Sequence, residues 1–122
     1  YGYKPPFKCT PKRLRKLLDK TGCKNIIAAH FGSFSMWEDV DKYLIGTDIY
    51  MDTSMTCGFL DKEKCKDMII RHGADKFLFG SDNPWQSPKD SYDYLMSLGL
   101  CEEDLELIKH KNAERILRKG SK

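Results

Sequence analysis

Apolar runs of strand length and apolar stripes of helical spacing alternate along almost the whole chain. Thr10-Pro11 opens a helix, with Thr10 as N-cap and Pro11 in the first turn. Leu14, Leu17 and Leu18 mark its apolar face and Gly22 its stop. A short run over 25–29 predicts the first strand. Ser35-Met36-Trp37-Glu38 has the form of a capping box, and the helix after it presents Trp37, Val40 and Leu44 inward. Residues 48–52 predict the second strand. Asp61 caps a helix over 62–72 with Cys65, Met68 and Ile69 inward and Gly73 as stop. Residues 76–80 predict the third strand. Ser87-Pro88 starts a helix with Tyr92, Leu95 and Leu98 inward, ended by Gly99. Residues 102–118 read as helical, with Asn112 capping a final turn over 113–118.

The order is helix, then strand–helix three times, then one more helix. Such alternation implies βαβ units, a parallel sheet and right-handed crossovers, and so an α/β fold. At 122 residues the chain reads as one unit spanning 1–122, without an internal boundary or a low-complexity segment.

Composition narrows the class. Hydrophobic residues make up 40% and charged residues 32%, which places the chain among folded globular domains and not disordered ones. No apolar run approaches the roughly 18 residues of a membrane span. No basic-then-apolar leader opens the sequence, so a cytoplasmic location is the expectation. The net charge is +3, unevenly placed. Eight Lys/Arg against Asp19 alone give residues 1–24 a balance of +7, which leaves −4 for the rest. The basic segment reads as a solvated helix face, because no aromatic platform accompanies it for stacking nucleic acid bases. Neither a membrane nor a nucleic acid is expected as partner. The five cysteines form no C-x-x-C pair and read as free thiols. Cys65 fits the core, and Cys57 sits in a loop beyond the second strand.

Candidate chemistry collects where strands end, because parallel strands all end on one edge and their following loops share it. The first strand ends in Ala29-His30-Phe31-Gly32, the second in Asp52-Thr53-Ser54, and the third in Gly80-Ser81-Asp82-Asn83-Pro84-Trp85. His30, Asp52, Ser54 and Asp82 should therefore cluster. Imidazole suits His30 to metal ligation, base catalysis or carbonyl polarisation, or simply to a backbone hydrogen bond. Asp82 is either a turn-former or a carboxylate that binds a metal and takes a proton from its water. Asp52 and Ser54 are weaker candidates, and Asp52 reads as a hydrogen-bonding group at the strand end. His72 and His110 lie near helix C-terminal ends, where the local negative field favours imidazolium, and read as structural.

Those residues resemble the metal-dependent hydrolases of the amidohydrolase-related kind, the group that includes aminocarboxymuconate semialdehyde decarboxylase. The resemblance rests on Ile27 to Gly32, Ile49 to Ser54, Gly73 to Trp85 and Asn112 to Leu117, with the Gly73–Trp85 run the most specific, and Lys8 to Leu14 also fits. It implies a TIM (β/α)8 barrel, of which this chain would supply the sixth to eighth parallel strands and flanking helices as a C-terminal fragment. It implies that His30 acts on the substrate, that Asp82 binds a divalent metal and serves as base, and that Trp85 lines the pocket mouth. Zinc is the first expectation for the metal, and manganese fits the same ligands. The family's H-x-H pair and fifth-strand histidine have no counterpart here, and a complete barrel takes about 250 residues. The chain is thus expected to begin just past that missing histidine, to be inactive alone, and to need the missing N-terminal half of the barrel. Its uncovered strands would otherwise drive self-association into a homo-oligomer. The expected reaction is hydrolysis of a small molecule. Non-oxidative decarboxylation in the same fold is the alternative, and a non-catalytic α/β binding module is the reading from a different class.

Overall fold

The computed structural model describes residues 9–120. Lys4 and Lys8 of the basic segment lie outside them.

The first helix, α1 (Pro11–Thr21), starts as its sequence dictates: the Thr10 side chain accepts from the Arg13 N–H, and Gly22 closes it in the left-handed region at φ 64°. A side chain at Gly22 would be strained there. Leu14 and Leu18 pack against the core while Leu17 stays exposed, so the expected apolar face is only partly used. Strand β1 (Ile27–Ala28) leads to a short 3-10 turn over His30–Gly32, and then to α2 (Trp37–Tyr43). The capping box does not form. Ser35 sits at φ 61°, Met36 takes the N-cap position, and no side chain caps this helix. Strand β2 (Tyr50–Asp52) precedes α3 (Lys62–His72), which Asp61 caps by accepting from the Lys64 N–H. Strand β3 (Phe77–Leu78) precedes α4 (Pro88–Met96), capped by Ser87. Last come α5 (Glu102–Glu106), a π-helical turn over Leu107–Lys111, and α6 (Asn112–Gly120). Among the described residues no helix is long and apolar enough to cross a membrane.

The three strands form one parallel sheet in the order β1-β2-β3, with Ala28 level with Met51 and Met51 level with Phe77. They are shorter than the apolar runs predicted, because His30 and Phe31 turn into the left-handed region and end the first ladder. The period-2 alternation of a strand sends Ala28, Met51 and Phe77 to one face. There they meet the helices and are buried among Val40, Leu44, Ile49, Met68, Ile69, Leu95 and Ile108. The opposite face carries Ile27, Tyr50, Asp52 and Leu78, all less than fully buried, with Ile27 51% exposed. A parallel sheet normally has cover on both faces, and here the described residues cover one.

Two sequence expectations about the core change. Tyr92 points out of α4, and the buried stripe is Ser91, Tyr94 and Leu95. Tyr94 can be buried because its hydroxyl donates to the Leu60 carbonyl at 2.6 Å. Asn112 does not cap a separate turn. The helix runs through it by way of the π turn, and its buried amide donates to the carbonyls of Ala74 (2.7 Å) and Phe77 (2.8 Å). Those bonds, with Phe79 N–H to Ile108 O at 3.0 Å, hold the C-terminal helices against the outer edge of β3. Arg71 joins α2 to α3 through a bidentate pair with Asp41 at 2.8 Å, and that guanidinium lowers the Asp41 pKa.

His72 is structural, though not for the reason its position suggests. It is buried, its Nε2–H donates to the Ile49 carbonyl at 2.8 Å, and its Nδ1 accepts from the Gly46 N–H at 3.0 Å. That pairing needs the neutral ring, and burial lowers its pKa. As pH falls, the unfolded chain therefore takes this proton first. The stability His72 contributes is complete above its ordinary value of about 6.5 and declines as pH drops through it. Urea unfolding is expected to show a midpoint that falls between about pH 8 and pH 5, and the His72→Gln variant should flatten that slope. His110 is the opposite case. It is exposed between Glu106 (2.7 Å) and Glu114 (3.0 Å), whose carboxylates raise its pKa. Cys65 is buried, and burial pushes its thiol up to about 12, as an inert core residue requires.

Candidate active site at the strand ends

The carboxyl ends of the three strands bring His30, Asp52, Ser54 and Asp82 together, as their positions in the sequence imply. Asp52, the last residue of β2, is the organising group. Its Oδ1 accepts from the backbone N–H of His30 at 2.9 Å and from the backbone N–H of Ser54 at 3.0 Å. The Ser54 hydroxyl donates to the same oxygen and lies 2.8 Å from His30 Nδ1. Asp52 thus does more than finish a strand: it pins the backbone of one loop to the end of the neighbouring strand.

The loops themselves are bent to suit. His30, Phe31 and Asp82 all have positive φ, at 56°, 58° and 65°. Non-glycine residues seldom adopt this region, at a cost of order 1–3 kcal/mol each, and such residues gather at functional sites. Phe31 anchors the first bend by burying its ring beside Phe77, centroid to centroid 4.7 Å. Gly80, just past the third strand, lies beside Asp52 and Ser54. A Cβ there would stand 3.6 Å from atoms of both Asp52 and Ser54, an ordinary van der Waals contact.

His30 Nε2 faces Asp82 Oδ2 at 3.9 Å. That is beyond hydrogen-bonding distance, yet both side chains open to the same space, Asp82 being 39% exposed. Trp85 closes the turn after Asp82, its N–H donating to the Asp82 carbonyl at 2.8 Å, and it is 63% exposed. Phe34 and Phe59 add an aromatic surface beside His30 that the polar strand ends do not mark in the sequence. Phe34 stands edge-on to His30 (6.5 Å) and to Phe59 (5.1 Å), and Trp37 Nε1–H donates to the Phe59 carbonyl. Each of these rings lies in or just after a loop that follows a strand, which is where their sequence positions point. A groove of about 950 Å³ runs between residues 57–62 and α4 and includes Cys57 and Tyr94 but neither His30 nor Asp82. Cys57 is a half-buried free thiol in its wall.

Asp82 has the chemistry of a metal ligand, a hard oxygen donor at a strand mouth. Among the described residues, however, no three His, Cys, Asp or Glu side chains stand close enough to hold an ion. Asp82 by itself offers one such donor.

Parallel βα units with polar groups gathered at the strand ends are what a fragment of a (β/α)8 barrel presents. The model of the family described as "Amidohydrolase" matches residues 14–119, and the chain belongs to that family. Its fold matches 2,6-dihydroxybenzoate decarboxylase complexed with 2,6-dihydroxybenzoate (20% identity, TM-score 0.67) and the Rhizobium 2,6-dihydroxybenzoate decarboxylase (22%, 0.66). It also matches a dihydroxybenzoic acid decarboxylase from Polaromonas sp. JS666 with bound manganese and the inhibitor 2-nitroresorcinol (24%, 0.67). These matches cover 90% of this chain and 40%, 40% and 39% of those enzymes, so the chain spans about two fifths of their length. No curated protein matches the sequence.

Proposed function

We propose that this chain is one portion of a metal-dependent enzyme that removes carbon dioxide from a small carboxylic acid without oxidation. The observation that carries the reading is the approach of His30 and Asp82 from two different strands to 3.9 Å. The likeness to decarboxylases supports the reaction type, and the aromatic wall of Phe34 and Phe59 suits a planar substrate. A divalent metal held in part by Asp82 would supply charge to steady the substrate anion. Manganese is the first choice given the Polaromonas enzyme, with zinc the other candidate. The remaining ligands would come from barrel strands beyond this chain. In decarboxylation the bond from carbon to the carboxylate breaks, CO2 departs, and the electron pair left on carbon takes a proton. His30 and Asp82 would hold and deliver that proton, and Trp85 would line the entrance.

The family description favours a second reading, hydrolysis at the same pair, in which His30 and Asp82 would take a proton from water instead. The experiment is CO2 release from 2,6-dihydroxybenzoate by the intact manganese-loaded protein. Release that disappears with chelation supports decarboxylation. Inertness toward this acid and other aryl carboxylates, together with turnover of amide or ester substrates, would replace it with hydrolysis.

The open sheet face also needs a cover. We propose that the remaining strands of the barrel supply it, and that the 122-residue chain by itself is inactive and pairs with copies of itself. Sedimentation should then give a mass that rises with concentration, and a steady monomer would contradict this.

A further inference from the structure

Ser54 has no part in the chemistry just proposed, yet it is 3% exposed and its hydroxyl sits between two functional side chains. A serine hydroxyl carries one proton, and an ionised carboxylate only accepts hydrogen bonds. The close approach of Ser54 Oγ to Asp52 Oδ1 places that proton between the two oxygens. What remains on Oγ toward His30 is a lone pair, so the 2.8 Å contact is made by a proton on His30 Nδ1. We propose that Ser54, oriented by Asp52, is a positioning residue that holds the neutral His30 ring as its Nδ1–H form. Nε2 is thereby left with its lone pair facing Asp82 and the space where a substrate would sit. The inference rests on reading His30 as a residue of the reacting centre.

The rest of the surroundings agree. Asp52 fixes the His30 backbone by the same oxygen that orients Ser54, so ring and main chain are set by one group. The Ser54 backbone N–H donates to that oxygen too, at 3.0 Å, so the residue that carries the hydroxyl is fixed by the same carboxylate. His72 is a built-in contrast: it has Nε2–H directed at the Ile49 carbonyl and Nδ1 as acceptor, the opposite form. The proton on a ring is set by the hydrogen bond that the other nitrogen makes, and here one chain holds both arrangements.

Long-range proton–nitrogen NMR of the imidazoles in the 15N-labelled protein, without metal and at alkaline pH, tests this directly. His30 is assigned by its loss in His30→Asn, and His72 is the internal reference. The expected spectrum has protonated Nδ1 and bare Nε2 for His30, opposite to His72. In Ser54→Ala the His30 pattern should move toward Nε2–H. Where 2,6-dihydroxybenzoate is turned over, the same variant should lower kcat about 10- to 100-fold with KM nearly unchanged, the scale seen when a partner that orients a functional histidine is lost. An Nε2–H pattern for His30 in the unsubstituted protein, or a pattern that Ser54→Ala leaves as it was, overturns the proposal. The unsubstituted protein alone decides the first point, so the test survives a variant that folds poorly. Absence of turnover with a correct Nδ1–H spectrum would count against the decarboxylase reading and not against the role of Ser54.

Discussion

Asp82→Asn in the intact, metal-loaded protein is expected to cut turnover of 2,6-dihydroxybenzoate about 100- to 10,000-fold, the range that a lost proton-transfer group commands. The substitution keeps the size of the side chain and its turn geometry. Asp82 is partly exposed at positive φ, a region that asparagine tolerates well, so the fold should not suffer. What is removed is the negative oxygen facing His30 Nε2 and the ligand offered to a divalent ion. Two readouts separate these losses. Manganese bound per protein, measured by elemental analysis after dialysis, reports the ligand. The rate at saturating manganese reports the proton. Unchanged turnover with unchanged metal content would mean that Asp82 is only the turn residue its Ser-Asp-Asn-Pro setting also permits.

Phe31→Ala is expected to cost about 3–5 kcal/mol of stability, the usual range for a phenylalanine removed from a core. The ring is fully buried, packs on Phe77 at 4.7 Å and meets Trp37 edge-on at 6.4 Å. Its backbone is also in the left-handed region, so packing must offset an unfavourable conformation as well as fill space. Removing the ring withdraws what holds the bend directly after His30. Urea unfolding followed by circular dichroism measures the loss. A change below about 1 kcal/mol would mean that the surroundings collapse into the space, the outcome that makes large-to-small substitutions cheap. Trp85→Ala is the comparison, since its side chain is mostly exposed and should change stability little.

Much of the architecture was legible because it is written in local patterns. Thr10, Asp61 and Ser87 cap the helices that follow them, since a capping oxygen needs only the N–H groups of its own first turn. Three apolar runs between helices became three parallel strands, since helical crossovers leave parallel pairing as the natural outcome. The expectations that failed depended on contacts distant in sequence. Tyr92 and Tyr94 are equally plausible core residues by spacing, and the Leu60 carbonyl, 34 positions away, selects Tyr94. Asn112 looks like a cap until Ala74 and Phe77 present their carbonyls to its amide. Ser35 satisfies a capping motif, but the left-handed backbone it adopts in the folded loop leaves Met36 in the cap position.

The sequence by itself determined that His30, Asp52, Ser54 and Asp82 would meet, because parallel strands end on one edge whatever their packing. It also carried the family resemblance that the match over residues 14–119 establishes. The tertiary structure alone decided what those residues do to one another. Asp52 reaches the backbone of His30 across 22 positions, and Ser54 reaches its ring across 24. Both contacts depend on strand register and on bends that no local propensity favours. Hydrogen bonds are directional over a few tenths of an ångström, whereas apolar periodicity marks only a face. That is why the pattern along the chain names the participants and the packed fold assigns their partners.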